Sequence, residues 1–181
     1  MVKNGRAVLF PVYKGSFERG DDTYIGLYYA AASHQYSDYF IKVVKDFRKC
    51  IDYLETRLDI DGKKLAYFGF SLGGEHGSII TAVEDRVKAS ILVVGGFRGD
   101  KRPEVSQINY VTRVKMPTLM LNGKYDVIYP YDGSAKPMFD LLGTPKEEKE
   151  QRLYETDHFI PRNELIKEAL AWLDRFFGPV K

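Results

Sequence analysis

Cysteine is nearly absent from this chain. Cys50 is the only one, which excludes an internal disulfide and any multi-thiolate metal site, and no metal or other cofactor is expected. It falls inside a helical pattern and reads as a small packing residue. Charge of one sign is lacking too. The formal net charge is +2 and the basic residues form no tract, which argues against a nucleic-acid partner. No apolar stretch resembles a signal peptide or approaches the length of a membrane span, so a cytoplasmic protein without a membrane partner is expected. Histidines are scarce: His34, His76 and His158 are the whole supply, which narrows any search for a general base. No repeat or low-complexity tract is present. What remains is ordinary globular material, 44% hydrophobic and 29% charged over 181 residues, enough for one domain spanning 1–181 with its own core.

The feature around which the chain is organised runs from Leu65 to Gly74, Leu-Ala-Tyr-Phe-Gly-Phe-Ser-Leu-Gly-Gly. An apolar run ends in Gly-x-Ser-x-Gly, and a helix-compatible stretch follows. This is the pattern of a nucleophile elbow, a sharp strand-to-helix turn that presents a serine hydroxyl beyond the sheet edge. Ser71 is expected in strained dihedrals. Gly69 and Gly73 are expected to leave room where a Cβ would crowd the neighbouring strand and helix.

Around this element the pattern alternates. Arg6–Val12 reads as a buried strand, and the long tyrosine-rich stretch from Ser16 to Tyr36 as an irregular connection. Ser37 is placed to cap a helix whose stripe is Phe40, Val43, Val44, Phe47, Ile51, Leu54 and Leu58. Leu65–Phe70 is the next strand and Leu72–Val83 a helix, whose Gly74 and Gly77 allow close approach to the sheet. Ala89–Val94 reads as a buried strand. The polar stretch from Gly95 to Met116 has room for only a small lid. Thr118–Leu121 is a strand, Tyr129–Gly143 a helix interrupted by Pro137, Arg152–Tyr154 a strand and Asn163–Phe177 a closing amphipathic helix. The alternation predicts an α/β fold with a doubly wound, mostly parallel sheet.

A serine hydroxyl needs a neighbouring base to become a nucleophile. His158 follows the last strand, on the sheet edge where open α/β folds gather ligands. His76 lies in the helix after the elbow and reads as packing, and His34 has no assignable role. Asp126 follows the strand before that of His158 and is the candidate for orienting the imidazole. Asp157 is adjacent to His158, and adjacent side chains diverge; Asp132 is the reserve. The order Ser71, Asp126, His158 is that of a serine–acid–histidine hydrolase.

With these residues in view, the stretch from Leu58 to Gly74, that from Val114 to Asp126, and Asp157-His158-Phe159-Ile160-Pro161 resemble serine α/β-hydrolases of the prolyl-oligopeptidase and dienelactone-hydrolase type. The run from Gly5 to Val180 resembles, more closely, hydrolase modules at the carboxyl end of bacterial serine/threonine kinase-like proteins. The resemblance implies ester hydrolysis through an acyl-enzyme, with Ser71 attacking, His158 shuttling the proton and Asp126 orienting it. A dienelactonase usually carries cysteine in place of Ser71, and oligopeptide-cleaving relatives carry a further domain, so a small carboxylesterase acting on short-chain acyl esters is the leading expectation.

The same resemblance implies a truncated fold, lacking the first strands and a large lid. Leu72 N–H supplies one oxyanion donor by position. The His-Gly-Gly-type sequence that often supplies another is absent upstream of Ser71, and losing one donor costs on the order of 10²–10³ in rate. The expected remedy is that Arg6–Val12 slides in beside Leu65–Phe70 and brings a backbone N–H of Tyr13, Lys14 or Gly15 over Ser71. A homodimer covering the exposed sheet edge accompanies this expectation. The rival expectations are a weakly active fragment and a binding or regulatory module that keeps the fold without turnover.

Overall fold

Strands buried on both faces read as continuous apolar runs, and the centre of this molecule is built from two of them. The computed structural model describes residues 1–20 and 30–180. Four strands, β1 (Leu65–Phe70), β2 (Val87–Val93), β3 (Thr118–Gly123) and β4 (Lys149–Tyr154), form one sheet in the order β1-β2-β3-β4. All three pairings are parallel. Among the described residues the α-helices are α1 (His34–Glu55), α2 (Leu72–Ile80), α3 (Lys136–Leu141) and α4 (Arg162–Phe177).

Side chains alternate across a strand, and on β2 and β3 each set finds a helical layer. Leu92 and Met120 pack with Ile51 of α1, Ile80 of α2 and Met138 of α3. Ile91, Val93, Leu119 and Leu121 pack with Ala169, Trp172 and Leu173 of α4. The sheet is therefore wound on both sides, as its alternating sequence predicts. β1 differs: Leu65, Tyr67 and Gly69 are buried while Ala66, Phe68 and Phe70 are exposed, so this strand has one face open to water. β4, at the other edge, is the polar Lys-Glu-Gln-Arg-Leu-Tyr, and such charge discourages edge-to-edge pairing.

Arg6–Val12 is not a strand. The segment has no regular structure and pairs with no strand of the sheet, and Ala7, Val8 and Phe10 are exposed. Its anchors lie elsewhere: Arg6 forms an ion pair with Asp174 and donates to the Gly178 carbonyl at 3.2 Å. An apolar run says nothing by itself about which partner strand, if any, receives it. The cap of α1 also lies one turn earlier than expected. Ser33 Oγ accepts from Tyr36 N–H at 3.1 Å, whereas Ser37 is buried within the helix. Of the tyrosine-rich connection, Tyr36 belongs to α1, and Tyr24, Tyr28 and Tyr29 lie outside the described residues. Pro137 does not break a helix but sits in the first turn of α3, where its missing N–H is no loss. A wide turn with five-residue hydrogen-bond spacing precedes it, Tyr131–Ala135.

The stretch after β2 contains three short 3₁₀ turns, Pro103–Val105, Gln107–Asn109 and Val111–Arg113. Val105, Val111 and Val114 are buried there, so the turns are fastened to the core. No helix among the described residues is long and apolar enough to cross a membrane.

Candidate active site

The elbow forms because β1 must turn back at once into α2. Ser71 sits at φ 54° and ψ −110°, a conformation disfavoured for any residue with a Cβ. Its N–H donates to Val93 O at 2.9 Å, and its carbonyl accepts the Glu75 N–H at 2.9 Å, so strand and helix both hold the strained residue. Gly69 is required: a Cβ there would lie 2.2 Å from Gly73 O. Gly73 is not, because a Cβ would meet only Tyr67 Oη at 3.7 Å. The expectation that both glycines relieve crowding thus holds for the first alone. Gly74 and Gly77 do face close neighbours, Val93 O and Leu92 Cδ2 respectively. One strained neighbour left no mark in the sequence: Val94, at φ 44°, where β2 bends so that Gly95 can meet Gly74.

Three loops at the carboxyl ends of the strands bring the expected groups together. His158 Nε2 lies 2.8 Å from Ser71 Oγ, and His158 Nδ1 lies 2.8 Å from Asp126 Oδ2. A carboxylate only accepts, so Nδ1–H donates to Asp126 and Nε2 accepts the serine O–H. The other oxygen of Asp126 accepts the backbone N–H groups of Ile128 at 2.8 Å and Tyr129 at 3.0 Å. The Asp126 side chain is fully buried, that of His158 nearly so. The imidazole is surrounded by Phe70, Tyr129 and Phe159, with ring centroids 6.0, 5.9 and 5.6 Å away.

The decoys are placed where chain geometry sends them. Asp157 is exposed and accepts the Phe159 N–H, and Asp132 is exposed in the wide turn. His34 opens α1. His76 is buried against Phe40, and its Nε2 lies 3.1 Å from the Tyr36 hydroxyl. Burial, with the nearby Lys101 ammonium, holds its pKa well below the usual 6.5. The unfolded chain takes up a proton there near pH 6.5 and the folded chain does not. The stability this represents is complete above pH 6.5 and is lost as pH falls toward the depressed folded value, at up to about 1.4 kcal/mol per pH unit. Unfolding measured from pH 7.5 to 5 should therefore slope less in His76→Gln than in the parent. Equal slopes would contradict this placement of His76.

The groups expected to form the oxyanion hole differ in how they are engaged. Leu72 opens α2, so its N–H has no partner within the helix. The Gly15 N–H donates to Arg19 O at 2.9 Å, inside its own turn. The Tyr13 carbonyl accepts the Ser16 N–H and hydroxyl, while its ring packs on the cluster around Tyr36, Phe40 and Val43. Burial pushes the Tyr13 phenol upward, with Cys50, Asp46 and Tyr39 adding to the shift. Lys14 is exposed.

A buried polar group next to these residues was not legible in the sequence. Glu75, one turn beyond Ser71, is paired with Lys101 and accepts the Tyr129 hydroxyl at 2.6 Å. Burial lowers the Lys101 pKa despite the carboxylate beside it, and burial followed by the Glu75 charge raises that of Tyr129. A cavity of about 390 Å³ opens beside this group, lined by Ala31, Ser33, Tyr36, Glu75, Arg98 and Lys101. Among the described residues, no cluster of three or more histidine, cysteine or acidic side chains could hold a metal ion.

Comparison with known proteins agrees with this architecture. The family model PETase, described as PET hydrolase-like, matches residues 42–179. Cutinase 2 of Thermobifida cellulosilytica is 30% identical over 124 residues, which are 67% of this chain and 44% of the relative; the chain thus spans less than half of that protein's length. A cold-adapted esterase from an Arctic intertidal metagenomic library superposes with a TM-score of 0.68 at 19% identity, covering 91% of this chain and 67% of the other. A proposed dienelactone hydrolase of Klebsiella pneumoniae superposes with a TM-score of 0.65 at 21% identity, covering 76% and 62%. At these identities the two structures speak for the fold alone.

Proposed function

Because the chain belongs to the PET hydrolase-like family, we propose that it is a serine carboxylesterase that cleaves short-chain acyl esters through an acyl-enzyme on Ser71. The observation that carries this reading is the pair of 2.8 Å hydrogen bonds joining Ser71 to His158 and His158 to Asp126. The relative named cutinase supports an ester as the bond cleaved.

In this mechanism Ser71 Oγ attacks the ester carbonyl carbon while His158 Nε2 takes its proton. Asp126 holds the ring in the tautomer that presents a free Nε2 and stabilises the imidazolium that forms. The Leu72 N–H, at the positive end of α2, faces the developing oxyanion. His158 then gives its proton to the leaving alkoxide, which departs as the alcohol. Water, deprotonated by the same imidazole, releases the acid and restores the serine. For a further oxyanion donor the reading draws on the N–H groups of Tyr13 and Lys14, since that of Gly15 is engaged. Tyr13 is close enough to Tyr67 to raise the pKa of that phenol, after burial, and Tyr67 Oη donates to Gly73 O at 2.7 Å, beside the elbow.

Phe70, Ile128 and Phe159 are exposed near the three groups, an open apolar rim that suits short acyl chains. Assays with aryl acetates, butyrates and laurates test the proposal: acetate and butyrate should turn over faster, and a preference for laurate would contradict it. Pairing of two copies along β1, whose Phe68 is 46% exposed, belongs to the same proposal. Sedimentation should report a dimer that Phe68→Lys weakens, and a monomer in the parent protein would remove it.

A further inference from the structure

Tyr129 touches the site in three ways. Its N–H donates to Asp126 Oδ1 at 3.0 Å, its ring stacks on the His158 imidazole at an interplanar angle of 26°, and its hydroxyl donates to Glu75 Oε2 at 2.6 Å. Of the three rings around His158, Phe70 and Phe159 are exposed, whereas Tyr129 is 1% exposed. Tyr129 is thus the one fixed wall against which the imidazole rests. Its anchor, Glu75, is itself 1% exposed and stands on the nucleophile's helix, one turn from Ser71.

Filling this space requires none of that polarity. Phenylalanine would supply the same ring, and an apolar residue at 75 would leave no charge to balance. Instead the chain buries a carboxylate with the Lys101 ammonium paired to it and the Arg98 guanidinium beside Tyr129 and Lys101, an arrangement expensive in desolvation. Lys101 Nζ donates to Gln107 Oε1 at 3.1 Å, and Gln107 Nε2 donates to Gly96 O at 2.9 Å. The carboxylate is thereby tied to the loop after β2 as well. The result is a continuous link from the nucleophile helix through Tyr129 to both Asp126 and His158.

We propose that Glu75 and Tyr129 are positioning residues for the base: their hydrogen bond, neutralised by Lys101, clamps the Tyr129 ring against His158 and its N–H onto Asp126. The imidazole is then kept in line with Ser71 and Asp126 while it gains and loses a proton. This rests on the reading of His158 as general base.

Tyr129→Phe keeps the ring and the N–H and deletes only the hydroxyl. With an aryl acetate, kcat should fall roughly tenfold, since small misplacements of reacting groups are costly, with KM unchanged within about twofold. The low-field proton resonance of His158 Nδ1–H should broaden as the ring exchanges more freely with water. Glu75→Leu, which removes the acceptor, made together with Lys101→Met so that the ammonium is not left unpaired, should lower kcat in the same direction. Adding Tyr129→Phe to that pair should cost well under a further tenfold, because both changes release the same ring. A Tyr129→Phe protein that unfolds more easily yet keeps parental kcat and a sharp resonance would overturn the positioning role alone. Full additivity of the losses would overturn it too. A parent protein that hydrolyses no ester would overturn the reading of Ser71 and His158, and this proposal with it.

Discussion

Ser71→Ala should lower ester hydrolysis by a factor on the order of 10⁵ or more, while the fold persists. Among the described residues the serine hydroxyl is the only group hydrogen-bonded to His158 Nε2, so its loss leaves the base without a proton to take. In hydrolases built this way, deleting the nucleophile removes nearly the whole contribution of the three groups together. Asp126→Asn should fall by about 10⁴, because an amide NH₂ facing Nδ1 favours the wrong imidazole tautomer. Among the described residues the side chain of Ser71 makes no hydrogen bond other than that to His158, so the thermal midpoint of Ser71→Ala should stay within about 2–4 °C of the parent. Steady-state kinetics and a thermal melt on the same preparations check both halves. A Ser71→Ala protein within tenfold of parental activity would place the chemistry elsewhere.

The second large effect is expected at a glycine outside the elbow. Gly123 ends β3, three residues before Asp126, and a Cβ built there would lie 1.7 Å from the Asp157 carbonyl oxygen and 2.7 Å from that of Thr156. Backbone on backbone cannot be relieved by a rotamer change. The loop carrying His158 must move, against a hydrogen bond from Tyr125 N–H to Thr156 O at 2.9 Å. Gly123→Ala should therefore cost about 3 kcal/mol or more in stability. It should also lower kcat by roughly 10², as a displacement near 1 Å does in a preassembled site. Gly73→Ala is the informative contrast. It lies inside the Gly-x-Ser-x-Gly motif, yet its added methyl has room, so denaturant unfolding and kcat should both stay close to the parent. A Gly73→Ala variant worse than Gly123→Ala would show that the motif position matters more than the space around it.

These two glycines show how far the sequence could be read. Ser71, Asp126 and His158 were legible because each follows a strand that its own residues define, and because their order is restricted by topology. The packing of α2 on the sheet was legible in Gly74 and Gly77. Gly73 departs from its motif's expectation because a motif records what an elbow tolerates, whereas crowding depends on neighbours that the folded chain supplies. Arg6–Val12 resembles a strand in sequence because apolar content signals burial without naming a partner. The structure leaves that run outside the sheet, tied by Arg6 to Asp174. The Glu75–Tyr129 bond spans 54 positions and joins two residue types that are commonplace at a helix start and in a loop. No local pattern could have announced it. The strained Val94 is similar, since a valine at positive φ is the opposite of what its own preference suggests.

The most direct test of a hydroxyl made nucleophilic by its neighbours is reaction of the folded protein with a fluorophosphonate, followed by mass spectrometry of its peptides. One adduct should form, on Ser71, and it should be absent from Ser71→Ala and form far more slowly in His158→Ala. A folded protein that stays unmodified, or carries the adduct on another residue, would contradict the account.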